Sequence, residues 1–496
     1  MIERLKSTLR DTFVYSLSNM APKIIGVVLL PIYTAYLTQQ DFGKWDLLDI
    51  TTNILAEIFL LGQAASIIFL NNSSEYKTRK KDALFTVTLF LVFVCALLIL
   101  AGELLISTYN DLEAALLIKP VYIRLIVWIV FFRTLNNLFL SKFRAEEKAF
   151  FFTAVSVTKL ILIAAGIIYA LTALNKGLEG IFTATLIGEA ATALFLLIKL
   201  LNQMSYRFDS ELLRVSFKFG FPLVFGTIGI MLLNLSDRYI ITYLLGPESN
   251  AIYGLGYRIA GVLNMFLIMP FSLSLMPIAY KYYGEQDDKR FFSKLMTYSS
   301  FMFLWGSVAI SLFSREVVGL FAEKPEYYSA YMVVPVILIS YSLSGMRITA
   351  SLGMMLTKNT KHIATITLSA AFLNIALNFI FIPKYGIIAA AFNTLIAFVI
   401  FYLATLIVSD KHFKIPFEHK KILLLIFWGI ILSVPVYIMP QGAIYLFVKL
   451  ILTGAFPFIL LPFGFYEERE LEYIKSPKKL INILLNTFTG TGNKDI

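Results

Sequence analysis

Nine lysines and arginines fall within apolar stretches long enough to cross a bilayer: Lys23, Lys119, Arg124, Arg133, Lys159, Arg238, Arg258, Arg347 and Lys449. A cation at the bilayer centre costs roughly 3 kcal/mol or more, so a chain that keeps several of them builds a polar cavity between its helices. The embedded acids are Glu57, Glu103, Glu189 and Asp237. On these residues the interior is cationic on balance, and its natural partner is a large anion held in the membrane or passing through it.

The helices that position these charges are written in the composition. Of 496 residues 58% are hydrophobic and 15% charged, against about 25% charged in a soluble domain. The expected class is an all-α integral membrane protein. The net charge of +11 does not point to nucleic acid, because the basic residues gather in short loops between apolar runs, as the positive-inside rule requires. One cysteine, Cys95, excludes a disulfide framework, and the three histidines lie in polar loops, so no metal is expected. No G-x-S-x-G, Walker A or H-E-x-x-H motif occurs, which argues against an enzyme.

A crossing helix needs about 20 mostly apolar residues. That length gives about fourteen spans: 12–38, 42–70, 82–106, 114–140, 150–172, 178–200, 216–245, 250–282, 291–313, 328–357, 362–382, 386–409, 420–438 and 442–465. One set of loops carries Lys77, Arg79, Lys80, Lys81, Lys142, Arg144, Lys148, Arg207, Arg214, Lys218, Lys289, Arg290, Lys294, Lys411, Lys414, Lys420 and Lys421. The other holds only Lys44, Lys176, Arg315, Lys324 and Lys384. Both termini are therefore expected in the cytoplasm, the N-terminus as a retained start rather than a signal peptide. The segment after residue 466 has the pattern of a surface amphipathic helix or a solvated tail.

Weak internal similarity links Tyr33–Leu48 to Tyr239–Gly256 and Lys176–Ile187 to Tyr385–Ile396, each about 210 residues apart. The expected organisation is an N-terminal lobe (1–200), a linker (201–215), a C-terminal lobe (216–409), two further spans (410–465) and a tail (466–496). Two six-helix halves repeat in the same orientation.

Helical rise sets the depth of each charge. Lys23 matches Glu57, Lys159 matches Glu189, and Asp237 matches Arg258. Lys159–Glu189 reads as a structural ion pair. The other two fall in the first two helices of each half and read as cavity residues. Arg347 has no acid in its own or neighbouring spans and is the leading anion ligand, while Arg124 and Arg133 also lack evident partners. Lys119 and Lys449 lie near enough to helix ends to snorkel. Pro22 and Pro31 in span one and Pro222 in span seven are candidate hinges. Asn234, Asn264, Asn374 and Asn378 suit sugar hydroxyls or helix–helix hydrogen bonds.

The segment "NLSDRYIITYLLGPESNAIYGLGYRIAGVLNMF" (Asn234 to Phe266) resembles the bacterial polysaccharide transporter family, the O-antigen and capsule repeat-unit flippases. These belong to the multidrug/oligosaccharidyl-lipid/polysaccharide exporter superfamily. The opening "FVYSLSNMAPKIIGVVLLPIYTAYLTQQDFGKWDLL" and "IPKYGIIAAAFNTLIA" share the resemblance. It implies two six-helix lobes around a central cavity of alternating access, plus two C-terminal helices, in the bacterial inner membrane. The implied substrate is an undecaprenyl-diphosphate-linked oligosaccharide. Membrane lipid, a glycan polymerase and a chain-length regulator are the implied partners. In the lipid II flippase branch the last two helices form a groove for the lipid tail, and cavity cations lie early in helices one, two and eight. Lys23 and Arg258 fall in comparable places, whereas span two has Glu57 where that branch has arginine. The expected substrate-binding set is Lys23, Arg124, Arg238, Arg258 and Arg347. Glu57 and Asp237 are the acids that would couple a proton or Na⁺, with no resident cofactor. A drug exporter of the same superfamily is the alternative, and a membrane glycan polymerase or acyltransferase the alternative of another class.

Overall fold

A computed structural model describes residues 20–22, 24–108, 119–359, 361–468 and 471. Lys23 and most of the expected tail helix therefore lie outside the described residues. Among those described there are no strands. Eleven helices among the described residues are long and apolar enough to cross a membrane, and a bent pair adds a twelfth. The 52-residue helix Lys361–His412 is two spans joined at Gly386, whose φ of 65° and ψ of −150° are non-helical. With its two arms counted separately, the described residues give thirteen of the fourteen expected spans; the shorter apolar helix Met20–Tyr36 falls in the expected first span, 12–38, which begins outside the described residues.

They are numbered α1 (Met20–Tyr36), α2 (Gln39–Leu60 with Gln63–Asn72), α3 (Lys80–Thr108), α4 (Pro120–Ala145), α5 (Ala149–Thr172), α6 (Gly177–Gln203), α7 (Ser210–Leu245), α8 (Pro247–Tyr282), α9 (Asp288–Leu312), α10 (Val334–Leu356), α11 and α12 (the two arms of Lys361–His412), α13 (His419–Ile438) and α14 (Ala443–Phe463). The architecture is two lobes, α1–α6 and α7–α12. The last two helices pack on α9 through the Phe301–Phe456 contact at 5.7 Å and a Trp305 Nε1 hydrogen bond to the Thr453 carbonyl at 2.8 Å.

In lipid, helices associate by close packing and interhelical hydrogen bonds, so small residues sit where backbones meet. The lobes touch at both ends. On the basic face, α2 bends by 41° at its break, where Leu61 and Gly62 are left-handed, with φ of 51° and 72°. Gly62 lies so close to α7 that a Cβ there would stand 2.1 Å from the Gly220 carbonyl oxygen. Ser66 Oγ donates to the Ser216 carbonyl at 2.6 Å, and Phe69 stacks on Phe219 at 4.5 Å. On the opposite face Asn250 Nδ2 donates to the Gly43 carbonyl at 3.0 Å and Thr34 Oγ1 to the Phe321 carbonyl at 2.7 Å.

The proline hinge candidates sit differently in their helices. In α1 the helix is interrupted at Leu29 and restarts at Leu30 with Pro31 in its first turn, where proline's missing N–H costs nothing. Pro222 lies inside α7. Five residues of α8, Asn264–Ile268, form a π-helical turn, a feature that often marks a functional site.

Candidate functional site: a charged inter-lobe cavity

Three connected chambers lie between these contact zones. The largest, about 610 Å³, is lined by Asp49 and Asn53 of α2, Asn234 and Arg238 of α7, and Tyr257, Arg258 and Asn264 of α8. A second, about 390 Å³, shares Asp49, Asn53 and Arg258 with the first and reaches Arg133, Lys159 and Glu189. A third, about 330 Å³, continues to Glu57, Ser141 and Arg144. Pro22 lines all three. The cations on these walls, Arg133, Arg144, Lys159, Arg238 and Arg258, outnumber the acids Asp49, Glu57 and Glu189. A fourth space of about 480 Å³ is wholly apolar and shares Val27, Val262 and Met265 with the largest chamber. A charged chamber thus lies beside an apolar groove between α1, α8 and α9.

Asp237 does not pair with Arg258. Adjacent helical residues point about 100° apart, so Arg238 turns toward α2 while Asp237 turns into its own lobe. There Asp237 accepts hydrogen bonds from the Tyr253 hydroxyl and the Arg238 backbone N–H, the latter at 2.9 Å. Thr394 Oγ1 approaches it at 3.5 Å. From Thr394 a chain of buried amides continues: Asn374 Nδ2 donates to Thr394 Oγ1 at 3.4 Å, Asn378 to Asn374 at 3.0 Å and Asn393 to Asn378 at 3.0 Å. Asn374 and Asn378 therefore belong to a helix–helix network, while Asn234 and Asn264 face the chamber. This network offers one carboxylate and several neutral oxygens. No group of three or more His, Cys, Asp or Glu suited to a metal occurs among the described residues.

Arg258 instead binds Asp46 of α2 at 2.6 Å and approaches Asp49 at 3.6 Å, with its guanidinium over Trp45 at 4.4 Å. Arg238 lies 3.6 Å from the same Asp46 and 4.5 Å above Tyr257. Sequence reasoning missed Asp46 and Asp49. The signal was available: "KWDLLDITT" places two acids three residues apart, hence on one helix face.

Lys159 meets Glu189 at 3.1 Å as expected. Arg133, expected without a partner, joins them: its Nε is 3.0 Å from Glu189 and a terminal nitrogen donates to Asn53 at 2.7 Å. Asn136 also donates to Glu189 at 2.7 Å. Arg124 is likewise not unpaired. Its Nε and a terminal nitrogen grip Glu103 with three bonds of 3.0–3.1 Å on an exposed surface away from the chambers, because the acid comes from the neighbouring helix, α3.

Arg347 does not line the chambers. It lies 4.6 Å over the Phe401 ring, with no carboxylate partner among the described residues, and its Nε is buried without a hydrogen bond. Lys449 does not snorkel either: it is 0% exposed and bonds Glu316 at 2.6 Å. Glu57 lines the third chamber, and its match with Lys23 lies outside the described residues.

These helices and this cavity define a two-lobed, multi-pass membrane protein, and its family matches place it in the multidrug/oligosaccharidyl-lipid/polysaccharide exporter superfamily. Residues 8–283 match the polysaccharide biosynthesis protein family, and the chain belongs to that family. Residues 222–380 also match the MatE family. An uncharacterized membrane protein of Methanocaldococcus jannaschii, MJ1068, is 23% identical over 242 residues, and the match spans 46% of this chain and 46% of that curated relative. Among solved structures, the lipid II flippase MurJ in an inward closed conformation aligns with a TM-score of 0.74 at 16% identity, covering 90% of this chain and 98% of that one. An inward-facing multidrug-resistance MATE transporter aligns at 0.62 and 15% identity, covering 83% and 95%. A superfamily transporter from Pyrococcus furiosus aligns at 0.57 and 15%, covering 88% and 97%.

Proposed function

We propose that the protein moves a lipid-linked oligosaccharide, with an undecaprenyl diphosphate carrier, from the cytoplasmic to the outer leaflet for surface polysaccharide synthesis. One observation carries the reading: the chamber walled by Arg238 and Arg258 lies against a groove lined only by apolar side chains, with Val27, Val262 and Met265 bordering both. That pairing suits an amphiphile with an anionic head and a hydrocarbon tail. The diphosphate would exchange with Asp46 and Asp49 at the two arginines, where charge-assisted bidentate bonds are strong. Asn53, Asn234 and Asn264 would meet sugar hydroxyls. Contact between the lobes at either end supports alternating access, and Asp237 in its amide network is the candidate to take up a proton or Na⁺. The membrane is the bacterial inner membrane with both termini cytoplasmic, and O-antigen, capsule and exopolysaccharide units are all suitable cargo.

The MatE match favours one second reading, a drug or small-molecule exporter. A cationic drug would want an acidic chamber, whereas cations predominate on these walls. The test is rescue of surface glycan in a strain lacking its own flippase. Wild type should restore export and Arg258→Gln should not. Drug resistance without glycan export would overturn the proposal in favour of the second reading.

A further inference from the structure

The charge in the chambers is unevenly compensated. Arg238 and Arg258 face Asp46 and Asp49, so that cluster is neutral by itself. In the second chamber Arg133 and Lys159 share the single carboxylate of Glu189. Their other hydrogen-bond partners, Asn53 on Arg133 and Asn136 on Glu189, are uncharged, and Glu57 of the third chamber, which Lys159 also lines, forms no ion pair with either cation among the described residues. An ion pair that only locks α5 to α6 needs one cation. A second cation at membrane depth is costly unless an anion meets it. Both cations keep a little exposure, 15% for Arg133 and 12% for Lys159, while Glu189 has 3%. The carboxylate is sealed, and the surplus positive charge borders the chamber. A lysine ammonium has three donors, and among the described residues Lys159 spends one on Glu189. The same wall carries Asn137 and Thr185, groups suited to hydroxyls.

Position fixes what the surplus charge would meet. Asn53, bonded to Arg133, lies one helical turn beyond Asp49, the neighbour of Arg258, which is about 6 Å of rise. That is comparable with one sugar ring and its linkage. An anion on a sugar close to the diphosphate would reach Arg133 and Lys159 while the diphosphate stays at Arg258.

We infer that the translocated oligosaccharide is acidic, and that Arg133 and Lys159 form a subsite for a carboxylate or phosphate substituent on a carrier-proximal sugar. This rests on the flippase reading of the cavity above.

The test uses the full-length protein in lipid nanodiscs and three probes: prenyl-diphosphate-linked disaccharides that are neutral, bear a uronic acid, or bear a phosphate substituent. Binding is measured for each. Wild type should bind one or both acidic probes roughly tenfold or more tighter than the neutral one, the scale of one charge-assisted hydrogen bond. Which acidic probe gains more distinguishes carboxylate from phosphate. Lys159→Gln leaves Arg133 to compensate Glu189, so the fold keeps its ion pair, and the acidic-to-neutral ratio should fall toward one. Glu189→Gln adds to the surplus charge and should raise that ratio. Equal binding of all three probes by wild type overturns the inference and leaves the flippase reading standing. An equal loss of all three in Lys159→Gln also overturns it, since the site would then hold the diphosphate. Failure of wild type to bind any probe overturns the flippase reading and the inference with it.

Discussion

Asp46 of the first lobe and Arg258 of the second meet at 2.6 Å on the face opposite the basic loops. Asp46 is fully buried, and α8 makes room for it with Gly254, where a Cβ would stand 2.7 Å from its Oδ2. The same Oδ2 lies 3.6 Å from Arg238 Nε, and both atoms are buried without a hydrogen bond. One carboxylate thus holds one arginine firmly and a second at arm's length, across the interface between the lobes on this face.

The first prediction concerns this latch. Asp46→Asn removes the buried negative charge, and breaking one side of a buried pair costs roughly 3–5 kcal/mol. Because the pair bridges the lobes, part of that loss should appear as opening of this face. A cysteine at Ser249 in the first turn of α8 should react faster with an impermeant maleimide in Asp46→Asn than in wild type. An Asp46→Asn, Arg258→Gln double variant should lose less than the sum of the singles, by roughly 1 kcal/mol or more for residues in contact. Additive losses would show that the contact does not hold the face shut.

The opposite latch is steric, and it makes the second prediction. A Cβ on Gly220 would lie 2.3 Å from Ser66 Oγ and 2.6 Å from the Gly62 carbonyl oxygen. Gly220→Ala leaves backbone angles of α7 unstrained but wedges the basic-face contact apart. Cysteines replacing Phe69 and Phe219, whose rings are 4.5 Å apart, should cross-link readily in the parent and poorly with Gly220→Ala present. Undiminished cross-linking would mean that α2 slides to absorb the methyl.

Much of this was legible in the sequence, for reasons particular residues make clear. Spans follow from apolar run length, and even the merged helix Lys361–His412 divides where the hydropathy did, near Gly386. Lys159–Glu189 was readable because adjacent helices α5 and α6 put both groups at one depth. Asp237–Arg258 failed because depth fixes height but not direction around a helix, and the true partner came from the other lobe. Asp46 was passed over because it lies only four residues inside the expected start of span two. Arg133 went unpaired in the sequence because nothing there says that one glutamate serves two cations.

Lys449 and Glu316 carry the third prediction. Their 2.6 Å bond ties α14 to the short helix Ser314–Phe321, and Lys449 is fully buried. Glu316→Gln should lower thermal stability by roughly 3–5 kcal/mol, since the ammonium is left without a counter-charge. Replacing both, Lys449→Met with Glu316→Leu, should recover most of the loss. Circular-dichroism melts in detergent read both effects. A double variant no better than Glu316→Gln would show that the pair supplies more than charge compensation.

The fourth prediction is a pH dependence at the basic face. Glu418, just before α13, is partly desolvated, which alone would raise its pKa. Hydrogen bonds from Thr297, Lys294 and Lys421 outweigh that and hold it below the ordinary glutamate value. A carboxyl lowered in the folded state contributes stability above its unfolded pKa, about 4.3. That contribution is lost as pH falls through the folded value. The melting temperature should therefore drop on acidification below about pH 4, and Glu418→Gln should flatten part of that drop. A variant that tracks wild type throughout would place the acid sensitivity elsewhere.

The last prediction concerns Arg347. It has no carboxylate partner among the described residues, its Nε is buried without an acceptor, and its charge rests on the Phe401 ring at 4.6 Å. It borders none of the three polar chambers. A buried cation compensated only by an aromatic face is a net cost, since cation–π attraction returns roughly 2 kcal/mol against a larger desolvation penalty. Arg347→Met keeps the side-chain length and removes the charge. It should raise the melting temperature or leave it unchanged, and glycan export should persist. Phe401→Leu takes away the ring and should destabilise the wild-type protein more than it destabilises Arg347→Met. The decisive comparison is export against stability in one variant. If Arg347→Met is folded and stable yet exports nothing, the arginine contacts the anion in another stage of the cycle, and the expectation drawn from its isolation in the sequence is restored.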